Sequence, residues 1–290
     1  MNFTSDDLIA LLDLEPLEHN IYRGQNRDIG TKRIYGGQVL AQALVSAQRT
    51  VDADRPIHSM HGYFILAGDL SVPVVYFVDR LRDGGSFTTR RVTAIQHGQA
   101  IFNLSASFHR HEDGLAHQLE MPDVPPPEEV RPELDVIRER ARSMPDKVGS
   151  AVTQDRPLDV RPVDDDDPFE PKVMPARRAM WVRTTGPLGD DPLHHQAVLA
   201  YASDYGLIVT ALRPHARSVR DPEMMVASLD HSIWFHRPFR IDEWLLYVVD
   251  APVSSGGRGF ARGTYFTREG ELVASTAQEG LMRVRTDRRT

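Results

Sequence analysis

The sequence contains no cysteine, and this absence excludes disulfide bonds, thiolate metal sites and a cysteine nucleophile. It also lacks any run of the ~20 apolar residues that a membrane helix needs. The first residues, MNFTSDDLIALLDLEPLE, carry neither the basic region nor the unbroken apolar core of a signal peptide. We therefore expect a cytoplasmic protein that does not insert into a membrane.

An excess of basic residues is missing as well. The 290 residues include 34 Lys and Arg against 41 Asp and Glu, a formal net charge of -7, which argues against nucleic acid as the main partner. The chain has no GxSxG, GxxxxGK[ST] or HExxH motif. The histidine pairs His109/His111 and His194/His195 lack carboxylates at ligand spacing, so we expect neither a metal site nor a cofactor.

The most informative stretch is SLDHSIWFHRPF, residues 228–239, an apolar strand with many polar side chains. Strict alternation places Leu229 and His231 on one face and Ser228 and Asp230 on the other. Pro238 ends the strand because it cannot donate to a ladder. The stretch is either a buried strand whose polar groups satisfy one another or part of a site.

Hydrophobic periodicity predicts one pattern twice along the chain, a helix rich in small residues together with several antiparallel strands. The first half begins with a short capped helix at 4–18 and a buried helix from Gly36-Gly37 to about Asp52. Its predicted strands are 57–66, 73–82, 86–97 and 100–110. The second half has a predicted helix at 194–204 and strands at 178–185, 206–213, 228–236, 243–251, 259–268 and 271–284.

Between the halves, residues 112–176 hold 11 of the 20 prolines and a run of four aspartates. We interpret them as a proline-rich acidic linker interrupted by a short helix at about 128–142. The predicted domains are therefore a first unit at 1–111, the linker at 112–176 and a second unit at 177–290.

The two units repeat each other at a constant offset. Tyr63-Phe64 matches Trp234-Phe235, Asp79 matches Asp250, Arg91 matches Arg262 and Ser105-Ala106 matches Thr276-Ala277, always 171 residues apart. The predicted fold class is α+β, a double hotdog in which two helix-wrapped antiparallel β-sheet units form one pseudo-dimer.

Long motifs support this interpretation. They include YGGQVLAQAL at 35–44, LRDGGSFTTRRVTAIQHG at 81–98, LAYASDYG at 199–206, LDHSIWFHRPF at 229–239 and ASTAQEGLMR at 274–283. Through them the sequence resembles the acyl-CoA thioesterase II family of double-hotdog thioesterases over nearly its whole length. The resemblance implies hydrolysis of acyl-CoA by a water that Asp204, Ser228 and Gln278 activate. Ser228 departs from the threonine expected there but keeps the hydroxyl.

The repeat offers an independent argument, because the first unit lacks these polar residues. At the 171 offset Ser228 corresponds to Ile57 and Gln278 to Ser107, while Asp204 falls on Leu44 or Val45 depending on helix register. This asymmetry fits one active and one degenerate site.

The pair Gly36 and Gly37 at the helix start occurs only in the first unit, because His195-Gln196 stands at the corresponding place in the second unit. Its backbone amides are candidate oxyanion donors, favoured by the helix dipole, although the glycines could instead serve only close packing.

Four arginines, Arg90, Arg91, Arg258 and Arg262, lie on repeated strands near glycine turns. They are candidates for binding the CoA phosphates, or they are solvated strand ends.

Two alternative functions remain open. A hotdog enoyl-CoA hydratase would use a pair such as Asp230 and His231, but adjacent strand residues point to opposite faces unless a bulge intervenes. A non-catalytic acyl-CoA binding protein is the other. In each case the expected partner is acyl-CoA, and we expect a homo-oligomer, a dimer or tetramer of double hotdogs.

Overall fold

The computed structural model describes residues 3–31, 33–142, 153–164, 167 and 169–285. The first half contains α1 (Ser5–Leu12), β1 (Glu15–Glu18), β2 (Ile21–Gly24), α2 (Gly36–Gln48), β3 (Ile57–Phe64), β4 (Val74–Asp83), β5 (Phe87–Gln96) and β6 (Gln99–His109). The connecting segment contains a 3₁₀ turn (Pro127–Glu129), α3 (Glu133–Ala141) and β7 (Leu158–Pro162). The second half contains β8 (Arg177–Thr184), α4 (Pro192–Ser203), α5 (Leu207–Leu212), a 3₁₀ turn (Arg213–His215), β9 (Met224–Ser228), β10 (Asp230–Phe235), β11 (Leu245–Ser255), β12 (Arg258–Thr267) and β13 (Leu272–Val284).

All of these strands belong to one antiparallel sheet. Its order is β1-β2-β4-β5-β6-β3-β10-β13-β12-β11-β8-β7, with β9 also paired to β13. The halves meet where β3 pairs with β10, and His61 lies opposite Ser232, 171 positions later. The double-hotdog prediction is confirmed, with two sheets fused into one.

Helices α2 and α4 lie inside the curved sheet and contact each other closely. A Cβ on Gly37 would come within 2.2 Å of the Tyr201 carbonyl oxygen, so only glycine allows this approach. The Tyr35 hydroxyl donates to the same carbonyl at 3.1 Å. The start of α2 is thereby held beside the end of α4.

Residues of the connecting segment around Val130 pack against the outer face of the second half. Trp181, Leu246 and Phe266 form a second apolar cluster there, together with Val130. The Trp181 indole donates to the Pro125 carbonyl at 2.9 Å. The segment contains the expected helix, but also strand β7, which pairs with β8 and was not predicted.

Two element predictions are wrong. The helix expected at 4–18 ends at Leu12, and Glu15–Glu18 forms a strand, since Pro16 cannot continue a helix. Residues 206–213, expected as a strand, form α5, which packs against β11, β12 and β13. Packing against the glycines of those strands overrides the local preference: Ile208 and Ala211 fill the space next to Gly280 and Gly259.

Strand pairing also corrects the predicted offset between the two halves for the last strand of each. Strands β4 and β5 align with β11 and β12 at 171, because the equivalent pairs are Asp79 with Arg91 and Asp250 with Arg262. However, Arg91 pairs with Ser105 and Arg262 pairs with Ala277, an offset of 172. The equivalent of Gln278 is therefore Ala106, and the expected match with Ser107 is wrong.

Candidate active site

A β-bulge at Leu229 shapes the site. Ser232 pairs with Ala277 whereas Ser228 pairs with Gly280, so the register slips by one residue between them. Glu279 serves two residues: its carbonyl accepts from the Leu229 amide at 2.9 Å, and its amide donates to the Asp230 carboxylate at 2.7 Å. The predicted alternation is therefore wrong on one point, because Ser228 turns inward to the same face as His231.

Asp204 follows directly after α4, as its C-cap residue. The Ser228 hydroxyl donates to its carboxylate at 3.2 Å. Gly36 lies against the same group, since a Cβ built on Gly36 would be 2.6 Å from Asp204 Oδ2. The Gly37 amide, in the first turn of α2, also donates to the carboxylate. The site thus joins the end of one central helix to the start of the other.

Gln278 of β13 completes the predicted set. Its Nε2 donates to the Ser228 hydroxyl at 2.8 Å and also to the Asp204 carboxylate. The residue is 1% exposed, so its amide orientation is fixed by protein partners alone. The three residues that the resemblance implied are therefore hydrogen-bonded neighbours in space.

Two further polar residues extend this cluster: sequence reasoning considered His231 only for the hydratase alternative, and it missed Ser203. His231 Nδ1 lies 2.7 Å from Gln278 Oε1, and His231 Nε2 lies 2.8 Å from the hydroxyl of Ser203, the last residue of α4. Both are completely buried. The repeat could have indicated His231, because its equivalent in the first half is the apolar Met60. Ser203 immediately precedes Asp204 but carries no comparable signal.

Burial controls the protonation of these groups. Desolvation raises the pKa of Asp204 to about 6, although donors at Ser228, Gln278 and Gly37 oppose the rise. The residue keeps some accessible surface, but its carboxylate is enclosed densely enough for desolvation to dominate. Desolvation also lowers the pKa of His231 to about 4, so this imidazole is neutral near pH 7.

Close packing, one of the two purposes considered from the sequence, accounts for both glycines at the start of α2. Gly37 permits the contact with α4, and its amide is engaged by Asp204. Gly36, the first residue of α2, leaves room beside the carboxylate and next to the ring of Phe64. Donation from either amide to an oxyanion stays a prediction.

The four candidate phosphate-binding arginines differ. Arg90 is 1% exposed. Its guanidinium donates to the hydroxyl and the carbonyl oxygen of Thr50, to two further backbone carbonyls and to the Asp83 carboxylate. Its assignment to CoA is wrong, because every donor is already used inside the fold. The other three, Arg91, Arg258 and Arg262, are exposed and paired with Asp79, Glu279 and Asp250 respectively.

The equivalent place in the first half is filled with apolar side chains. Ser228, His231 and Gln278 correspond there to Ile57, Met60 and Ala106, each no more than 2% exposed. The second-half counterpart of the glycine helix start is also blocked: His195 accepts from the Ile241 amide at 3.2 Å. The polar cluster therefore occurs once in the described part of the chain.

Among the described residues, no group of three or more His, Asp or Glu side chains is placed to hold a metal ion. Nor does any helix in the described ranges have the length and apolar character needed to cross a membrane.

Known proteins resemble this chain over nearly its full length. The family model described as acyl-CoA thioesterase matches residues 148–281, and that described as acyl-CoA thioesterase N-terminal domain matches residues 24–109. Acyl-CoA thioesterase 2 of Haemophilus influenzae is 40% identical and covers 96% of this chain and 97% of its own length. Human acyl-coenzyme A thioesterase 8 is 40% identical, covering 95% and 88%.

Solved structures agree with the sequence comparisons. The crystal structure of acyl-CoA thioesterase II TesB2 from Mycobacterium marinum is 42% identical, covers 96% of this chain and 99% of that one, and superposes with a TM-score of 0.78. Since family models match both halves and the relatives match them in one continuous chain, this protein belongs to the acyl-CoA thioesterase family.

Proposed function

We propose that the protein hydrolyses acyl-CoA thioesters to a free acid and CoA, with Asp204 as the group that activates water. The observation that carries the proposal is the placement of this carboxylate at the end of α4: it is enclosed, hydrogen-bonded to Ser228 and Gln278, and lies beside Gly36, the first residue of α2. Thioester hydrolysis needs a proton acceptor for water and a donor for the developing oxyanion, and this arrangement offers both.

In the proposed reaction, ionised Asp204 accepts a hydrogen bond from a water molecule. The water oxygen attacks the thioester carbonyl carbon, and its proton passes to the carboxylate. A tetrahedral oxyanion forms, and the amide of Gly36 at the positive end of α2 stabilises it. Collapse breaks the carbon–sulfur bond, and the CoA thiolate takes the proton back from Asp204, which restores the enzyme.

The raised pKa of Asp204 suits this role. A carboxylate with a pKa of about 6 is a stronger proton acceptor than an ordinary aspartate, yet it is still mostly ionised at pH 7. Ser228 and Gln278 fix its orientation, and Ser228 leaves the second carboxylate oxygen to the side of Gly36.

An apolar lip next to the site suits the acyl part of the substrate. Phe64 contacts Gly36, and the following Ile65 and Leu66 are 48% and 49% exposed. We propose that the acyl chain enters along this lip, while the exposed Arg258, on the strand paired with β13, remains a candidate for a CoA phosphate.

The hydratase alternative has less support. The Asp230 carboxylate accepts from the Glu279 amide on the outer side of the sheet, whereas His231 points inward and is completely buried. The two side chains do not converge on one water. The assembly into homo-oligomers and the cytoplasmic location remain proposals that rest on the sequence.

Thiol release separates the three functions. Saturated and 2-enoyl-CoA substrates of increasing chain length are incubated with the enzyme, and free CoA is measured with a thiol reagent while loss of the enoyl double bond is followed by absorbance. We expect CoA release from both series. Hydration of enoyl-CoA without CoA release would indicate the hydratase, and saturable binding without either product would indicate a binding protein.

A further inference from the structure

His231 has no role in the proposed reaction, yet its Nδ1 lies 2.7 Å from Oε1 of Gln278, the amide atom opposite the NH₂ group that donates to Ser228. It lies on the inner face of β10, completely buried, one strand away from Gln278. A buried imidazole at this position requires explanation, because the equivalent position in the first half carries the apolar Met60 and is equally well packed.

The Gln278 amide can take two orientations that exchange its oxygen and nitrogen. In one, the NH₂ group faces Ser228 and Asp204 and the oxygen faces His231. In the other, the amide oxygen faces the Asp204 carboxylate, and the two oxygens repel each other. The shape of the pocket does not separate these orientations, since amide oxygen and nitrogen have nearly the same size.

The partners of His231 decide between them. An amide oxygen can only accept, so the catalytically useful orientation needs a proton on Nδ1 of His231. Nε2 then accepts from the Ser203 hydroxyl 2.8 Å away. Ser203 can alternatively donate to the Ala200 carbonyl at 2.9 Å, which would leave Nε2 of His231 to carry the proton instead. The two hydrogen-bond patterns are mutually exclusive, and the ionised carboxylate favours the first.

We infer that His231 is a positioning residue: as the Nδ1–H tautomer it holds the amide of Gln278 with its NH₂ group towards Ser228 and Asp204. The inference rests on the proposed function. The chain of contacts runs from Ser203 through His231 and Gln278 to the Asp204 carboxylate. Ser203, the last residue of α4, therefore helps to orient the Gln278 amide, which donates to Asp204, the next residue in the chain.

This role has a measurable consequence for the pH dependence of the reaction. Donation from Gln278 favours the ionised form of Asp204, so loss of the correct amide orientation should raise the pKa of that carboxyl group. The titratable groups around it are Tyr35 before α2 and Tyr247 of β11. Burial raises the pKa of both phenols, and both therefore stay neutral between pH 5 and pH 8, which leaves Asp204 to define the profile.

The test replaces His231 with Met, the residue at the equivalent position of the first half, and with Asn, whose amide can donate in place of Nδ1–H. We expect His231→Met to lower kcat by roughly 10- to 100-fold with little change in KM, the loss typical of a misplaced catalytic group. The apparent pKa of kcat/KM should rise by about one unit. His231→Asn should recover most of the rate and the original pKa. His61→Met, at an exposed histidine of the adjacent strand, is the matched control and should behave as wild type.

A cycle with Gln278→Ala shows whether His231 acts through the amide. If it does, adding His231→Met to Gln278→Ala should change kcat less than twofold. Additive losses would contradict the inference, as would a folded His231→Met enzyme with unchanged kcat and pH profile. Near wild-type hydrolysis by Asp204→Asn would instead refute the proposed function, whatever the cycle shows.

Should the histidine variants not fold, the tautomer itself can be measured in the wild type. Long-range proton–nitrogen NMR correlations distinguish Nδ1–H from Nε2–H, and the Nδ1–H form is expected at pH 7. A signal of His231 in the Nε2–H form would overturn the inference.

Discussion

Asp204→Asn should lower the activity of the enzyme and raise the stability of its fold, because the enclosed charge of Asp204 destabilises the folded state. The carboxyl group has an ordinary pKa of 3.8 in the unfolded chain and about 6 in the folded protein. Each unit corresponds to ~1.4 kcal/mol, so ionised Asp204 destabilises the folded state by about 3 kcal/mol above pH 6. Asparagine removes this charge, but its NH₂ group would face the donors from Gln278 and Gly37, which offsets part of the gain in stability. The partial exposure of residue 204 reduces the destabilisation by the charge, and so the gain, further. We expect a net gain of about 1–2 kcal/mol in the free energy of unfolding at pH 7.5.

The same substitution should lower kcat/KM by ~10²–10⁴-fold, because an uncharged amide cannot accept the proton of the attacking water. In the wild type, kcat/KM should rise through about pH 6 to a plateau, and the residual activity of the variant should lack this step. CoA release between pH 5 and pH 8 measures both.

Denaturant unfolding at several pH values tests the stability side. Because the folded pKa lies above the unfolded one, the folded protein holds the proton more tightly between about pH 4 and pH 6. The free energy of unfolding of the wild type should therefore fall across this window relative to the variant and stay lower above it. A folded variant that hydrolyses acyl-CoA at near the wild-type rate would refute the role of Asp204, and a pH-independent stability difference would refute its raised pKa.

Four further substitutions test the surroundings of the carboxylate by CoA release and thermal unfolding. Gln278→Ala should reduce kcat/KM by ~10–100-fold, less than loss of the carboxylate, since it removes an orienting donor; an unchanged rate would contradict this. Ser228→Thr should stay within about threefold of wild type, because the hydroxyl is retained; a loss as large as that of Gln278→Ala would show that the added methyl group does not fit. Gly37→Ala should destabilise the fold, since its Cβ would overlap the Tyr201 carbonyl at 2.2 Å, whereas Gly36→Ala meets the end of a side chain at 2.6 Å and should mainly reduce activity; the opposite ranking would refute this contrast.

The sequence alone predicted the architecture of the halves, and its resemblance to a family pointed to three residues that are neighbours in space. The strand predictions between 57 and 110 lie within two residues of β3 to β6, because alternation and glycine turns define them locally. Asp204, Ser228 and Gln278 followed from motifs, and the structure places them together.

What the sequence could not provide depends on pairing between distant strands. The bulge at Leu229 exists because Glu279, fifty residues later, serves two residues of the opposite strand. Local alternation therefore placed Ser228 on the wrong face. Arg90 is a similar case: the side chain sits near a glycine turn, as a ligand-binding arginine often does, but its partners at Thr50 and Asp83 appear only when the fold is known.

The one-residue difference in the repeat also arises far from the site. The turn between β5 and β6 comprises residues 97–98, between the paired Gln96 and Gln99, whereas that between β12 and β13 comprises 268–270, because the Thr267 amide still donates to the Glu271 carbonyl at 2.8 Å. The longer turn shifts β13 relative to its counterpart, and a constant offset of 171 cannot represent this. As a result, Gln278 corresponds to the inward Ala106 and not to the neighbouring Ser107, which lies on the outer face and hydrogen-bonds His58 at 2.8 Å.

This assignment can be tested in the half of the molecule that lacks the polar cluster. Ala106 is 1% exposed and pairs with Met60, so Ala106→Gln would place an amide beside the buried apolar side chains of Met60 and Ile57. Overpacking and an unsatisfied buried amide should together lower the free energy of unfolding by about 2–5 kcal/mol. Ser107→Gln, one position away on the half-exposed outer face, should change it by less than about 1 kcal/mol. Urea unfolding of both variants measures the contrast, with CoA release by the intact second-half site as the check on folding. If Ser107→Gln proved the more damaging of the two, the register that makes Ala106 the counterpart of Gln278 would be wrong.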